Sequence, residues 1–206
     1  MKNLKNLRIS LVVAVLALAG ILPAAAAEYA IDASHSRIQF SVRHLGISTV
    51  TGNFSVFGGA LVFDPEAIET GRVEVGIDAT SIDTAVEKRD THLRSPDFLN
   101  VDEYPEIRFQ STGVESSEGG LAVSGNLTIR GVTRPVVLEA EFNGQAEDPW
   151  GSSRVGFEAT TRINRKDFGL TWNKVLESGG LLVSEEVKIT LVVEGVELKS
   201  EPHPAP

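Results

Sequence analysis

Leu121-Ala122-Val123-Ser124-Gly125-Asn126-Leu127-Thr128-Ile129-Arg130 is followed, after Gly131-Val132-Thr133, by Val136-Val137-Leu138-Glu139-Ala140-Glu141-Phe142-Asn143. In the first stretch Leu121, Val123, Leu127 and Ile129 alternate with Ser124, Asn126, Thr128 and Arg130. In the second, Val136, Leu138, Ala140 and Phe142 alternate with Glu139, Glu141 and Asn143. Successive side chains of a strand face opposite ways, so a period of two gives one buried face and one wet face. With Gly131-Val132-Thr133 as the turn, the two stretches read as antiparallel strands that share a single apolar face.

The same alternation recurs along the chain. From Ser36, Ile38, Phe40 and Val42 face away from Arg37, Gln39, Ser41 and Arg43. Val50 to Phe63 predicts a second strand, bent or bulged at Gly58-Gly59. Val73, Val75 and Ile77 alternate with Arg72, Glu74 and Asp78, and Ile107 and Phe109 with Arg108 and Gln110. Val155, Phe157, Ala159 and Ile163 alternate with Arg154, Glu158, Thr160 and Arg162, and Val187, Ile189, Leu191 and Val193 with Lys188, Thr190 and Glu194. These segments make eight strands of an all-β protein. Strands with one apolar face bury it in a sandwich or a closed barrel. Sequential, hairpin-like connections favour an up-and-down antiparallel barrel, whose closure also removes exposed edges. Two insertions interrupt the pattern. Thr84 to Asn100, with Val86, Leu93, Phe98 and Leu99, predicts a short helix and an irregular turn that cap one barrel end. Arg165 to Gly180 carries Phe168, Leu170 and Trp172.

The N-terminus has the layout of a cleaved export signal. Lys2, Lys5 and Arg8 precede an apolar run from Ile9 to Leu22, Pro23 breaks it, and Ala25-Ala26-Ala27 fits the small-residue cleavage pattern. Cleavage near Ala27 leaves a barrel domain over residues 28–200 and a proline-rich, disordered tail over 201–206. Removing the leader leaves 16 Lys+Arg against 28 Asp+Glu, a net charge of about −12. Such a balance repels phosphate backbones and argues against a nucleic-acid partner. No segment after the leader is long and apolar enough for stable membrane insertion. The chain has no cysteine, so its core must hold it without disulfides.

Candidate chemistry is sparse. Histidines are His35, His44, His92 and His203, too few and too scattered for local pairs of zinc ligands. Neither G-x-S-x-G nor H-E-x-x-H occurs. Asp32-Ala33-Ser34-His35-Ser36 brings triad residue types together but reads better as a turn closed by side-chain bonds. Asp90 and Arg94 have the spacing of an ion pair on a helix face. A catalytic alternative, a hydrolase or other enzyme acting on a lipidic substrate, would use His44, Asp90 and His92 as acid–base groups. An apolar barrel interior is open to two accounts, a filled core or a tunnel for one ligand.

A resemblance bears on that choice. Ile31-Asp32-Ala33-Ser34-His35-Ser36 with Phe40-Ser41-Val42-Arg43-His44 resembles the opening of the YceI-like, polyisoprenoid-binding family. Arg89-Asp90-Thr91-His92-Leu93-Arg94-Ser95-Pro96-Asp97-Phe98, Gly125 to Pro135, Asp148-Pro149-Trp150-Gly151 and Ile163 to Asn173 continue the match over the mature chain. One departure is Asp97-Phe98-Leu99-Asn100, where the family usually shows two aromatic residues and an Asp.

The resemblance implies a lipocalin-like barrel with an elongated apolar tunnel. It further implies a carrier, commonly periplasmic, of a long-chain isoprenoid, quinone tail or other lipid, and the absence of catalytic motifs argues against an enzyme. Expected tunnel-lining residues are Phe40, Val42, Phe54, Val75, Phe109, Leu127, Leu138, Phe157 and Leu191. Expected at the polar end are His44, Arg89, His92 and Trp172, the last through its indole donor. No cofactor, metal or catalytic residue is expected, and a second copy of the chain, as a homodimer, stays open as a partner.

Overall fold

Each alternating segment forms a strand in the computed structural model, which describes residues 26–177 and 180–199. The strands are β1 (Ala27–Ile31), β2 (Arg37–His44), β3 (Ser48–Phe54), β4 (Phe57–Phe63), β5 (Arg72–Asp78), β6 (Ile82–Asp83), β7 (Glu106–Ser117), β8 (Gly120–Ile129), β9 (Val132–Glu147), β10 (Ser153–Asn164) and β11 (Glu186–Glu197). One helix, α1 (Glu87–Arg94), follows β6. The expected leader core and the tail from Glu201 lie outside the described residues.

The eleven segments make eight staves, because three staves are interrupted. β1 and β2 are two parts of the first: both pair with β11 on one side, and with β4 and β3 on the other. β3 and β4 form the second stave, and β5 and β6 the third. From there each stave pairs antiparallel with the next in sequence, and β11 returns to the first. The result is the expected closed, up-and-down, eight-stranded antiparallel barrel. The β8–β9 hairpin turns on Arg130 and Gly131, with φ of 50° and 71°, as a two-residue turn that matches strand twist requires.

Three details differ from the sequence expectation. The β8–β9 turn is Arg130-Gly131 rather than Gly131-Val132-Thr133, since Val132 and Thr133 already pair with Ile129 and Thr128 in the ladder. The first stave starts at Ala27 rather than Ser36, since β1 is too short to show an alternation of its own. The second breaks at Ser55-Val56 rather than at Gly58-Gly59. There Ser55 N donates to Ser81 O (3.3 Å) and Val56 N to Ser81 Oγ (3.1 Å), so the chain leaves the ladder. Gly59 stays in β4 for another reason: a Cβ on it would sit 2.0 Å from the carbonyl oxygen of Glu74. In β7 the register shifts between Ser111 and Gly113. The extra residue resets the parity, which keeps Ile107, Phe109 and Val114 all inward.

The registers place the β2–β3 turn, the α1 insertion, the β8–β9 turn and the Arg165–Glu185 insertion at one end of the barrel. A seam remains in the wall between β9 and β10. β9 pairs with β10 only from Ser153↔Glu147 to Thr160↔Glu139. Beyond that point Thr161 to Asn164 are laddered to β11 alone and Val132 to Leu138 to β8 alone. Pro135, which has no N–H to donate, stands in this half-paired stretch. Phe168, 2 % exposed, packs behind it.

Candidate functional site

The inward faces do not meet in the middle. They enclose a cavity of about 470 Å³. All nine expected apolar residues line it: Phe40, Val42, Phe54, Val75, Phe109, Leu127, Leu138, Phe157 and Leu191. Small residues leave the room. Ala140 and Ala159 face each other across β9 and β10. Gly125 carries the Phe109 ring, which a Cβ there would strike at 2.4 Å.

Aromatic clusters stand toward both ends. At the chain-terminal end Phe63, Phe142 and Phe157 pack with ring centroids 4.8 to 5.2 Å apart. At the insertion end His92 meets Phe98 at 5.0 Å and Trp172 at 4.8 Å, both edge-on, and Phe98 meets Trp172 at 5.2 Å. Such offset contacts suit the ring quadrupoles. The helix insertion and the second insertion are thus joined over the barrel, which is the cap expected of Thr84 to Asn100.

The structure brings His44, Arg89, His92 and Trp172 to the same cavity lining. His92 Nε2 lies 2.9 Å from Asp97 Oδ2. Arg89 Nε donates to Thr84 Oγ1 (2.7 Å) and Nη2 to Thr84 O (2.8 Å). His44 forms a β-bridge with Val183 of the second insertion.

The expected Asp90–Arg94 pair does not form. Asp90 is 3 % exposed and accepts from Thr84 N (3.0 Å) and from Thr84 Oγ1. Arg94 instead donates to Thr80 O (2.9 Å) and Ile82 O (3.0 Å) and meets Glu87 at 3.4 Å. A carboxylate turned into the fold gains more from a fixed hydroxyl and amide than from a half-exposed cation. With Asp90 held by Thr84 and His92 by Asp97, the acid–base set of His44, Asp90 and His92 is not assembled: none of the three hydrogen-bonds another among the described residues.

Arg165 was not singled out from the sequence, where it looks like one more loop cation. It is 4 % exposed and lines the cavity. Burial pushes the pKa of its guanidinium down, and Glu185 opposes that shift.

A second polar cluster lies outside the cavity. Asp32 accepts from Ser34 N (2.9 Å) and from Ser34 Oγ (2.5 Å) and meets His35 Nδ1 at 2.9 Å, which is the side-chain-closed turn read from the sequence. Arg154 joins it, bonding Asp32 and Asp148 at 2.9 Å each and Glu194 at 2.5 Å. Asp32, His35 and Glu194 also have metal-ligand spacing, but the Arg154 guanidinium already supplies their positive charge.

Comparison with known proteins agrees with this architecture. Residues 29–195 match the YceI-like domain. A UPF0312 protein of Yersinia enterocolitica is 45% identical over 178 residues, covering 85% of this chain and 90% of the relative. The crystal structure of the Campylobacter jejuni YCEI protein superposes with a TM-score of 0.66 at 30% identity, covering 76% of this chain and 90% of that one. A polyisoprenoid binding domain from Saccharophagus degradans shares the fold, with a TM-score of 0.56 at 16% identity over 84% of this chain and 99% of its own. With its barrel, its cavity and most of its length matched, the chain belongs to the YceI-like family.

Proposed function

We propose that this is an exported, periplasmic binding protein that carries or sequesters one long apolar chain, a polyisoprenoid, an isoprenoid quinone or a fatty-acid derivative. The observation that carries this reading is the cavity, walled by the inward faces of the barrel and flanked by aromatic clusters. An interior made only for stability would be close-packed, and a largely apolar space is suited to an apolar guest. The polyisoprenoid binding domain named among its structural neighbours supports the same ligand class. Phe40, Val42, Phe54, Val75, Phe109, Leu127, Leu138, Phe157 and Leu191 hold the chain, and His44, Arg89, His92 and Trp172 stand at its polar end. Binding rather than catalysis fits a site whose titratable groups are tied to structural partners.

Native mass spectrometry of the protein purified from its own periplasm tests this. The expected result is a bound lipid, released by organic extraction, with mass differences that identify its chain. A protein that is empty when isolated, and that takes up neither long-chain prenols nor fatty acids, would sink the reading. N-terminal sequencing of the same material is expected to start near Glu28.

A further inference from the structure

Arg165 stands where β10 ends, on the wall of the cavity. Its Nε donates to Ser184 O (2.9 Å), and its Nη1 to Leu170 O (2.6 Å) and Trp172 O (2.8 Å). Among the described residues its Nη2 has no partner, and it is shut off from solvent. Nor does any carboxylate among the described residues form an ion pair with it. Glu185, the acid that acts on it, is bonded to Lys166 Nζ at 2.9 Å. A guanidinium has five N–H donors and keeps its charge in proteins. Enclosing it with a bare amino group is costly, and folded proteins rarely leave such a group unmatched.

A second, independent fact points the same way. The cavity lining includes Arg72, Arg89, Arg165, His44 and His92 and not one Asp or Glu among the described residues. Yet the chain carries 28 Asp+Glu against 19 Lys+Arg. In an acidic protein, an acid-free lining with a spare buried donor is arranged for negative charge that arrives from outside.

We propose that Arg165 selects the head group of the bound chain, its Nη2 taking an anionic oxygen, a carboxylate or a phosphate, at the chain's end. This rests on the lipid-chain reading of the cavity and adds the head-group class to it. Charge-assisted bonds from a guanidinium to such oxygens are among the strongest a side chain makes. Nη2 is closed off from solvent, so seating the head requires the surroundings of Arg165 to move, among them the Leu170–Trp172 segment whose carbonyls its Nη1 already holds.

The test uses delipidated full-length mature protein and chains of matched length that differ only at the head. Palmitate, cetyl phosphate and cetyl alcohol form one set; geranylgeranyl phosphate and geranylgeraniol form another. Each competes with a fluorescent fatty-acid probe. The wild type is expected to prefer the anionic member of each set at least about tenfold. The set with the tighter anionic member tells a fatty acid from a prenyl phosphate. In Arg165→Met the preference falls to about one while the alcohols bind as before, and Arg165→Lys lies between. A purely structural role would weaken all chains alike and leave the ratio intact. Should Arg165→Met fail to fold, the guanidinium resonances of wild-type Arg165 are expected to shift with palmitate and not with cetyl alcohol. An unchanged ratio in the variant, or unmoved resonances, overturns the head-group role alone. If no chain binds at all, it falls together with the tunnel.

Discussion

At the scale of single residues, the charges of the outer wall are tied to one another. Hydrogen bonds from Ser34, His35 and Arg154 hold the Asp32 carboxyl far below the usual carboxylate range. The bond to Asp32, followed by the charges of Asp32 and Glu194, raises the pKa of His35. The signs differ. His35 stabilises the fold fully below its unfolded pKa of about 6.5 and less as pH rises through its higher folded value. Asp32 stabilises above its unfolded pKa of about 3.9 and loses this only as pH falls toward its lower folded value. The cluster is therefore strongest between about pH 4 and 6.5. In an NMR titration His35 is expected to titrate above the value of a free histidine and to fall back toward it in Asp32→Asn. The Asp32-x-x-His35 half of this cluster was legible in the sequence, because a turn closed by neighbours is local. Arg154, Asp148 and Glu194 were not, since Asp148 reaches Arg154 across the β9–β10 turn and Glu194 and Asp32 reach it through the pairing of β11 with β10 and with the first stave. Arg165 was missed as well: its burial comes from an insertion folded over it, not from any pattern around it.

At the scale of elements, α1 is fastened by a side chain rather than by its own amphipathicity. Its sequence, EKRDTHLR, is mostly polar, and Val86 before it offers no side-chain cap. Asp90 supplies the tie by accepting from Thr84. Replacing Asp90 with Ala strands the buried Thr84 donors and is expected to cost about 1–3 kcal/mol in urea unfolding. Arg94→Ala, which loses bonds from a more exposed side chain, is expected to cost less. The seam between β9 and β10 gives another expectation. Amides of Thr161 to Asn164 and Val132 to Leu138 that face the seam have no ladder partner there. They should exchange hydrogen far faster than those of β8, in a residue-resolved exchange experiment. Uniform protection along β9 would rule the seam out. Alternation located β9 and β10 from the sequence, since that pattern reports which face is buried. It says nothing about where two neighbours part company, just as it placed a bend at Gly58-Gly59 when the ladder breaks at Ser55-Val56.

At the scale of the whole molecule, the eight staves and their order were legible because each must hide one face and the connections are short. Whether the hidden faces fill the barrel was not. Alternation records that Leu138 and Leu191 point inward, but the space between them depends on barrel radius and on small residues such as Ala140 and Ala159. Ala140→Phe separates the two accounts without knowledge of the ligand. In a filled core, a phenyl group added at this position would overpack and destabilise by about 1–3 kcal/mol. In an open cavity it fills empty space, and filling a void of this kind adds about 0.5–2 kcal/mol. The expected outcome is a higher Tm for the delipidated variant than for the delipidated wild type, together with loss of long-chain binding. Stability and binding then move in opposite directions, which is the mark of space kept open for a guest. A lower Tm at this position would mean that the barrel interior is packed in solution, and a higher Tm with binding intact would place the chain elsewhere in the fold.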